Sequence, residues 1–261
     1  MAGKMRRKNK AQISVFIIIG VVLVAGVILA YAIFSKTGPR YNTPTAEDPQ
    51  QYIEKCVKDS VSEAEPIILK QGGYINPGNF KLYQDEKVAY LCYTNLFYEK
   101  CTNQEPMFIK HIEDEITNYT KNRIDVCFSN LKNDLEKQNY AIEMSGMDMK
   151  TELLKNTIRV TIDRKMSITR NEETKRFDKF NVLMNSPLYN LANVAIEIAN
   201  QEAKRCSFEY VGYMAFYPEF KIERISVGNG ETTSRMYVIE DKNTEKKLNI
   251  AIRGCAIPAG I

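Results

Sequence analysis

The sequence predicts an α+β protein held behind one N-terminal transmembrane helix: a helical segment, then an antiparallel sheet packed with helix, the whole stabilised by disulfides. Three observations carry this. Residues 11–34 form an unbroken run without a charge. Behind it, apolar residues recur first at helical spacing and later at every second position, a change of period that separates helices from half-buried strands. All six cysteines (Cys56, Cys92, Cys101, Cys127, Cys206 and Cys255) lie beyond the uncharged run.

Taken in order, residues 1–10 are a basic tail with Lys4, Arg6, Arg7, Lys8 and Lys10. Residues 11–34, as a helix rising about 1.5 Å per residue, would span about 36 Å, enough for a hydrocarbon core of about 30 Å. Five cations precede it and only Lys36 and Arg40 follow closely. The positive-inside bias therefore predicts a cytoplasmic tail and an extracytoplasmic remainder, with the lipid bilayer as first partner. A cleaved signal peptide is the rival fate. Ala30-Tyr31-Ala32 offers a small-x-small site, but the apolar stretch exceeds the usual 7–15 residues.

Residues 35–47, polar and holding Pro39 and Pro44, read as a linker. A Cys-containing helical region is expected over 48–139. Asp48-Pro49 supplies a cap and a first-turn proline; Ile53, Val57, Val61, Ala64 and Ile68 form the stripe; Gly72-Gly73 stops the helix, and Pro66 is expected to kink its end. Val88–Cys92 reads as a short strand. A second helix covers about 107–137, its stripe running through Ile109, Ile112, Ile116, Tyr119, Cys127, Leu131 and Leu135. A sheet-plus-helix region is expected over 140–261. Ile158, Val160, Ile162, Met166 and Ile168 mark a strand, a turn near Asn171 leads to a partner at 177–184, and Ser186-Pro187 opens a third helix. Strand-like runs at 221–227, 234–240 and 247–253 follow, joined by turns at Gly228-Asn229-Gly230 and Asp241-Lys242-Asn243.

The even cysteine count on one side of the anchor fits disulfides in an oxidising space. Ile53-Glu54-Lys55-Cys56 and Ile124-Asp125-Val126-Cys127 share an Ile-acid-x-Cys pattern on two helices, so packing those helices would bring Cys56 to Cys127. Cys92 and Cys101 can close a local loop, which leaves Cys206 with Cys255. The alternative is that some are reduced, buried thiols. A zinc site is disfavoured, because no two cysteines have knuckle spacing and His111 is the only imidazole.

The net charge of +4 is misleading. Five of the 36 basic residues sit in the tail, so the other 31 face 32 acids. The electrostatic footprint of a nucleic-acid binder is missing. There is no phosphate loop, dinucleotide fingerprint or Gly-x-Ser-x-Gly elbow, and neither cofactor, metal nor catalytic residue is predicted. His111 begins His111-Ile112-Glu113-Asp114-Glu115, which reads as a solvated helix start. Paired-carboxylate chemistry needs only two acids at a suitable separation, and the sequence singles out none.

The most unusual stretch is 208–220, with six aromatics in thirteen residues. Tyr210, Tyr213, Phe216 and Tyr217 are candidates for a binding surface, since flat rings give contact area at small entropic cost. The competing reading is a core-filling connection from helix to sheet. Asn118-Tyr119-Thr120 matches a glycosylation acceptor, set within the second long helix.

Lys10-Ala11-Gln12-Ile13-Ser14-Val15-Phe16 resembles the start of archaeal type IV pilin-like precursors. The resemblance implies a cut between Ala11 and Gln12, with the helix retained. Phe16 stands where those pilins usually carry a Glu that helps register subunits in a filament. More broadly, this start, the Cys-bearing helix and Gln71-Gly72-Gly73-Tyr74-Ile75 are similar to uncharacterised, membrane-anchored archaeal proteins. The expected role is therefore structural, or one of interaction with other envelope proteins, at the cell envelope. A pilin-like, self-assembling filament subunit is the alternative. An anchored envelope hydrolase is a third, resting only on location and abundant acids.

Overall fold

The computed structural model describes residues 23–24, 48–227 and 234–258. The basic tail, the linker, the Ala11–Gln12 junction, the 228–230 turn and all of the 11–34 run except Leu23 and Val24 lie outside them. Among the described residues no helix is long and apolar enough to cross a membrane. The helices and sheets named below belong to the unit Pro44–Ile261.

The unit is α+β. Its helices are α1 (Pro49–Lys70), α2 (Phe108–Lys137), α3 (Leu188–Arg205) and the short α4 (Tyr210–Phe216). Its strands are β1 (Phe80–Tyr83), β2 (Glu86–Tyr93), β3 (Thr102–Asn103), β4 (Ala141–Met144), β5 (Asp148–Leu154), β6 (Thr157–Arg170), β7 (Glu173–Asn185), β8 (Phe220–Ser226), β9 (Arg235–Asp241) and β10 (Lys247–Arg253).

Helix α1 starts where the cap predicts, with Asp48 Oδ1 accepting from Gln51 N at 2.8 Å. It continues through Pro66 to Lys70. Gly73 N then closes on Ile68 O at 2.8 Å, with Gly72 and Gly73 both at positive φ. The second glycine has a further reason to be there: a Cβ at Gly73 would lie 2.6 Å from Phe108 Cζ. Along α2 the buried face steps through Phe108, Ile112, Ile116, Thr120, Ile124, Phe128, Leu131 and Leu135. Ile109, Tyr119 and Cys127 pack at its rim. At 30 residues the helix is long enough for its apolar stripe to drift around the axis, so successive i+4 steps replace the fixed seam.

The expectation of a single antiparallel sheet is corrected. There are two sheets, and one is mixed, in the order β1-β2-β10-β9-β8 with β3 beside β2. β10 lies parallel to β2 and antiparallel to β9. The final strand thus sits between strands from opposite ends of the unit. Stretches 48–139 and 140–261 consequently share one sheet and one core. Leu91, Leu248, Ile250, Tyr237, Ile239 and Ile222 face the helices in that core. A smaller cluster of Val88, Tyr90, Met236 and Ala251 forms on the opposite face.

The second sheet is antiparallel and centred on β6, with β7 along one edge and β4 and β5 in succession along the other. Register pairs Ile162 with Phe180 and Val160 with Val182, all buried. Where β5 hands over to β4, the β6–β7 register shifts between Asp163 and Met166. Ser145 stitches the irregularity, donating its N–H to Lys165 O at 2.9 Å and accepting from Arg164 Nε at 3.1 Å. Arg164 then reaches Asp125 of α2 at 2.6 Å, over the Phe128 ring.

All six cysteines are cross-linked as Cys56–Cys127, Cys92–Cys101 and Cys206–Cys255. These are the pairs reached from the Ile-acid-x-Cys echo, the local spacing and the remainder.

Candidate functional site

Segment 208–220 divides by what lies beneath it. Phe208 is buried, its ring 5.4 Å from Tyr213 and 6.1 Å from Tyr237. Phe220 is buried as the first residue of β8. Between them the chain forms the two-turn helix α4, which Pro218 prevents from continuing. α4 covers the free edge of β8, where Met214 Sδ accepts from Ile222 N at 3.1 Å. Both readings of the segment therefore apply, to different residues. Tyr210, under the Arg224 guanidinium, and Tyr213 are half-buried supports. Phe216 is 83% exposed, and Val211 and Tyr217 are exposed as well. The Tyr213 and Tyr217 rings lie 4.6 Å apart, tilted by 32°. Burial, then the neighbouring Tyr217, Glu197 and Glu219, pushes the Tyr213 hydroxyl up to about 12.

Behind this surface lies a buried polar network. Glu202 of α3 is 0% exposed. Its Oε2 accepts from Arg235 Nη2 at 2.8 Å and its Oε1 from the Tyr237 hydroxyl. Arg235 also donates to Gly254 O at 2.9 Å, tying the start of β9 to the chain beside Cys255. Burial, with the facing Glu202 carboxylate next, pushes the Tyr237 hydroxyl far above its ordinary range. A buried charge survives only when paired and hydrogen-bonded, and here every partner comes from the fold itself. Its role is architectural.

His111 sits in the first turn of α2 against the Tyr74 ring, with centroids 4.1 Å apart. Its Nδ1 is 4.0 Å from Glu105 Oε1, which accepts from Tyr74 Oη at 2.7 Å. Its Nε2 is buried without a hydrogen-bond partner. Glu115 accepts from Ile75 N at 2.7 Å, and Glu113 from Leu153 N at 2.9 Å. The acids around His111 thus hold the 72–75 turn and the end of β5; the expected solvated face is partly a structural clamp. Burial, then donation to Glu105, raises the Tyr74 hydroxyl strongly. Among the described residues no three His, Cys, Asp or Glu side chains converge to hold a metal ion.

Two open depressions also mark the surface. The larger, about 630 Å³, lies over the β6 irregularity and places Lys165 and Arg176 among Glu143, Asp178, Ser145 and Ser167. The other, about 440 Å³, lies between the end of α1 and the outer face of the mixed sheet. Sequence reasoning missed the first because β4 is only four residues long and its pairing is non-local. The exposed loop Leu96-Phe97-Tyr98 was missed as well; three apolar residues inside a cysteine-closed loop were the available signal. Asn118 is exposed on α2, while Thr120 of its tripeptide is buried and donates to Ile116 O at 2.8 Å. Comparison with known proteins found no matching family model, no similar curated protein and no similar solved structure.

Proposed function

We propose that the chain is a membrane-anchored extracytoplasmic protein with a structural or interaction role at the cell envelope. The observation that carries this reading is the complete use of six cysteines in three cross-links within one unit. Such bonds persist in an oxidising space. The uncharged 11–34 run and its one-sided cations supply the anchor. The exposed side chains of Val211, Phe216 and Tyr217 are the surface offered to other envelope proteins or to a second copy.

The test is topological. A C-terminal epitope on intact cells is expected to be removed by added protease, and freshly isolated chain is expected to take up no maleimide before reduction. A protected epitope together with reactive thiols refutes the proposal.

A pilin-like filament subunit is a second reading, favoured by the Ala11–Gln12 junction. It predicts a mature chain beginning at Gln12 by mass spectrometry; retention of Met1–Ala11 rules it out.

A further inference from the structure

We infer that the Cys92–Cys101 loop is a lipid-contacting tip, which lays the extracytoplasmic unit against a bilayer surface. The inference rests on the membrane-anchored reading above.

Leu96, Phe97 and Tyr98 are 58%, 44% and 61% exposed, three consecutive apolar or aromatic residues at one loop apex, with exposed Ile257 alongside. Such a run is unusual on a soluble surface and marks a contact site. The loop is also rigid. The disulfide closes its base. Thr94 N donates to Arg253 O at 2.8 Å, and Cys255 N donates to Glu99 O at 2.5 Å. The Arg253 guanidinium reaches Thr94 O and lies over the Tyr93 and Phe97 rings. Phe97 bridges to Ala256. Exposure of the tip is therefore a held conformation, already ordered before it meets anything.

Two features favour lipid over a protein groove. First, the apex presents few unsatisfied donors: Leu96 N bonds Thr94 Oγ1 at 3.2 Å and Tyr98 N bonds Ala256 O at 2.9 Å. A segment entering the acyl boundary must bring its backbone groups already paired, whereas a protein groove can pair them on arrival. Second, the chemistry is that of an interface anchor, with aliphatic and aromatic side chains at the tip, the Arg253 guanidinium against its Phe97 ring, and Lys100 within the same loop. The thirteen residues 35–47 reach about 45 Å when extended, so an anchored chain keeps this tip at high local concentration near a bilayer.

The chain has no Trp, so Phe97→Trp in the full-length protein creates a unique reporter. Leu183→Trp, on the exposed face of β7, serves as control. Each is reconstituted into vesicles of phosphatidylcholine and phosphatidylglycerol carrying brominated acyl chains. The expected result is blue-shifted emission at position 97 with several-fold stronger bromine quenching than at 183. Solvent-like, unquenched emission at 97 overturns the inference, as does a blue shift that bromolipid leaves unquenched, which would identify a protein contact instead. Flotation after alkaline carbonate tests the underlying reading separately. A chain that fails to float loses its anchor; one that floats with position 97 unquenched loses only the lipid-contacting tip.

Discussion

Arg235→Met is the most informative single perturbation of this fold. Glu202 is wholly buried, and Arg235 Nη2 at 2.8 Å is the cation that balances it, the second partner being the neutral Tyr237 hydroxyl. Methionine restores much of the apolar volume and removes the charge. An uncompensated buried carboxylate should cost about 3–5 kcal/mol of unfolding free energy, a large share of the whole stability of an ordinary domain. The lost bond to Gly254 O contributes about 1.5–3 kcal/mol of that, since its donor is charged. Urea unfolding followed by circular dichroism at neutral pH, with disulfides intact, gives the number. Glu202→Gln/Arg235→Met should recover about half of the loss, because the amide needs no counter-charge; the cycle isolates the coupling between the two side chains. A loss under about 1 kcal/mol for Arg235→Met, or a double variant no better than the single, would refute the claim that this pair is a desolvated charge pair holding α3 to β9.

Other substitutions probe separate parts of the molecule. Gly73→Ala, at φ +94 and with its Cβ 2.6 Å from Phe108 Cζ, should destabilise by about 2–4 kcal/mol, whereas Gly78→Ala, with nothing within 4 Å, should be near neutral by thermal unfolding. Replacing both Cys56 and Cys127, which close a separation of 71 residues, should cost about 4 kcal/mol against about 2.5 for the nine-residue Cys92–Cys101 pair in the loop-entropy account. Phe208→Ala should cost about 3–5 kcal/mol while Phe216→Ser stays within about 0.5, a contrast that urea midpoints will show directly. Tyr213 is held protonated more tightly in the fold than in the unfolded chain, so its contribution is complete below pH 10 and is lost as pH rises towards about 12. Tyr213→Phe should flatten the fall in urea midpoint across that window.

Local chemistry made some elements legible. Asp48-Pro49, the α1 stripe and the β6 alternation each declare themselves within a dozen residues, because capping and periodicity are short-range properties. The cysteine pairing was legible for a related reason: sulfurs on the facing sides of two packed helices must meet. What escaped was non-local. β4 and β5 are short and separated by Ser145-Gly146-Met147, and only their pairing with β6 makes them strands. The parallel neighbour of β2 begins more than 150 residues downstream of it, where no turn residue announces the partnership. In the aromatic segment, Phe208 and Phe216 are the same residue type eight positions apart. Tyr237 and Tyr213 decide which one is covered, and no periodicity inside the segment records that choice.

The position of β10 sets a constraint on biogenesis. Because β10 is made after both of its neighbours, the sheet cannot close until residue 253 has emerged, and β2 and β9 wait until then with those edges open. Until then Cys255 cannot reach Cys206, and a chain stopped before Lys247 would lack the centre of the sheet rather than a margin. The interval before β10 arrives is therefore the period of greatest vulnerability to aggregation and proteolysis.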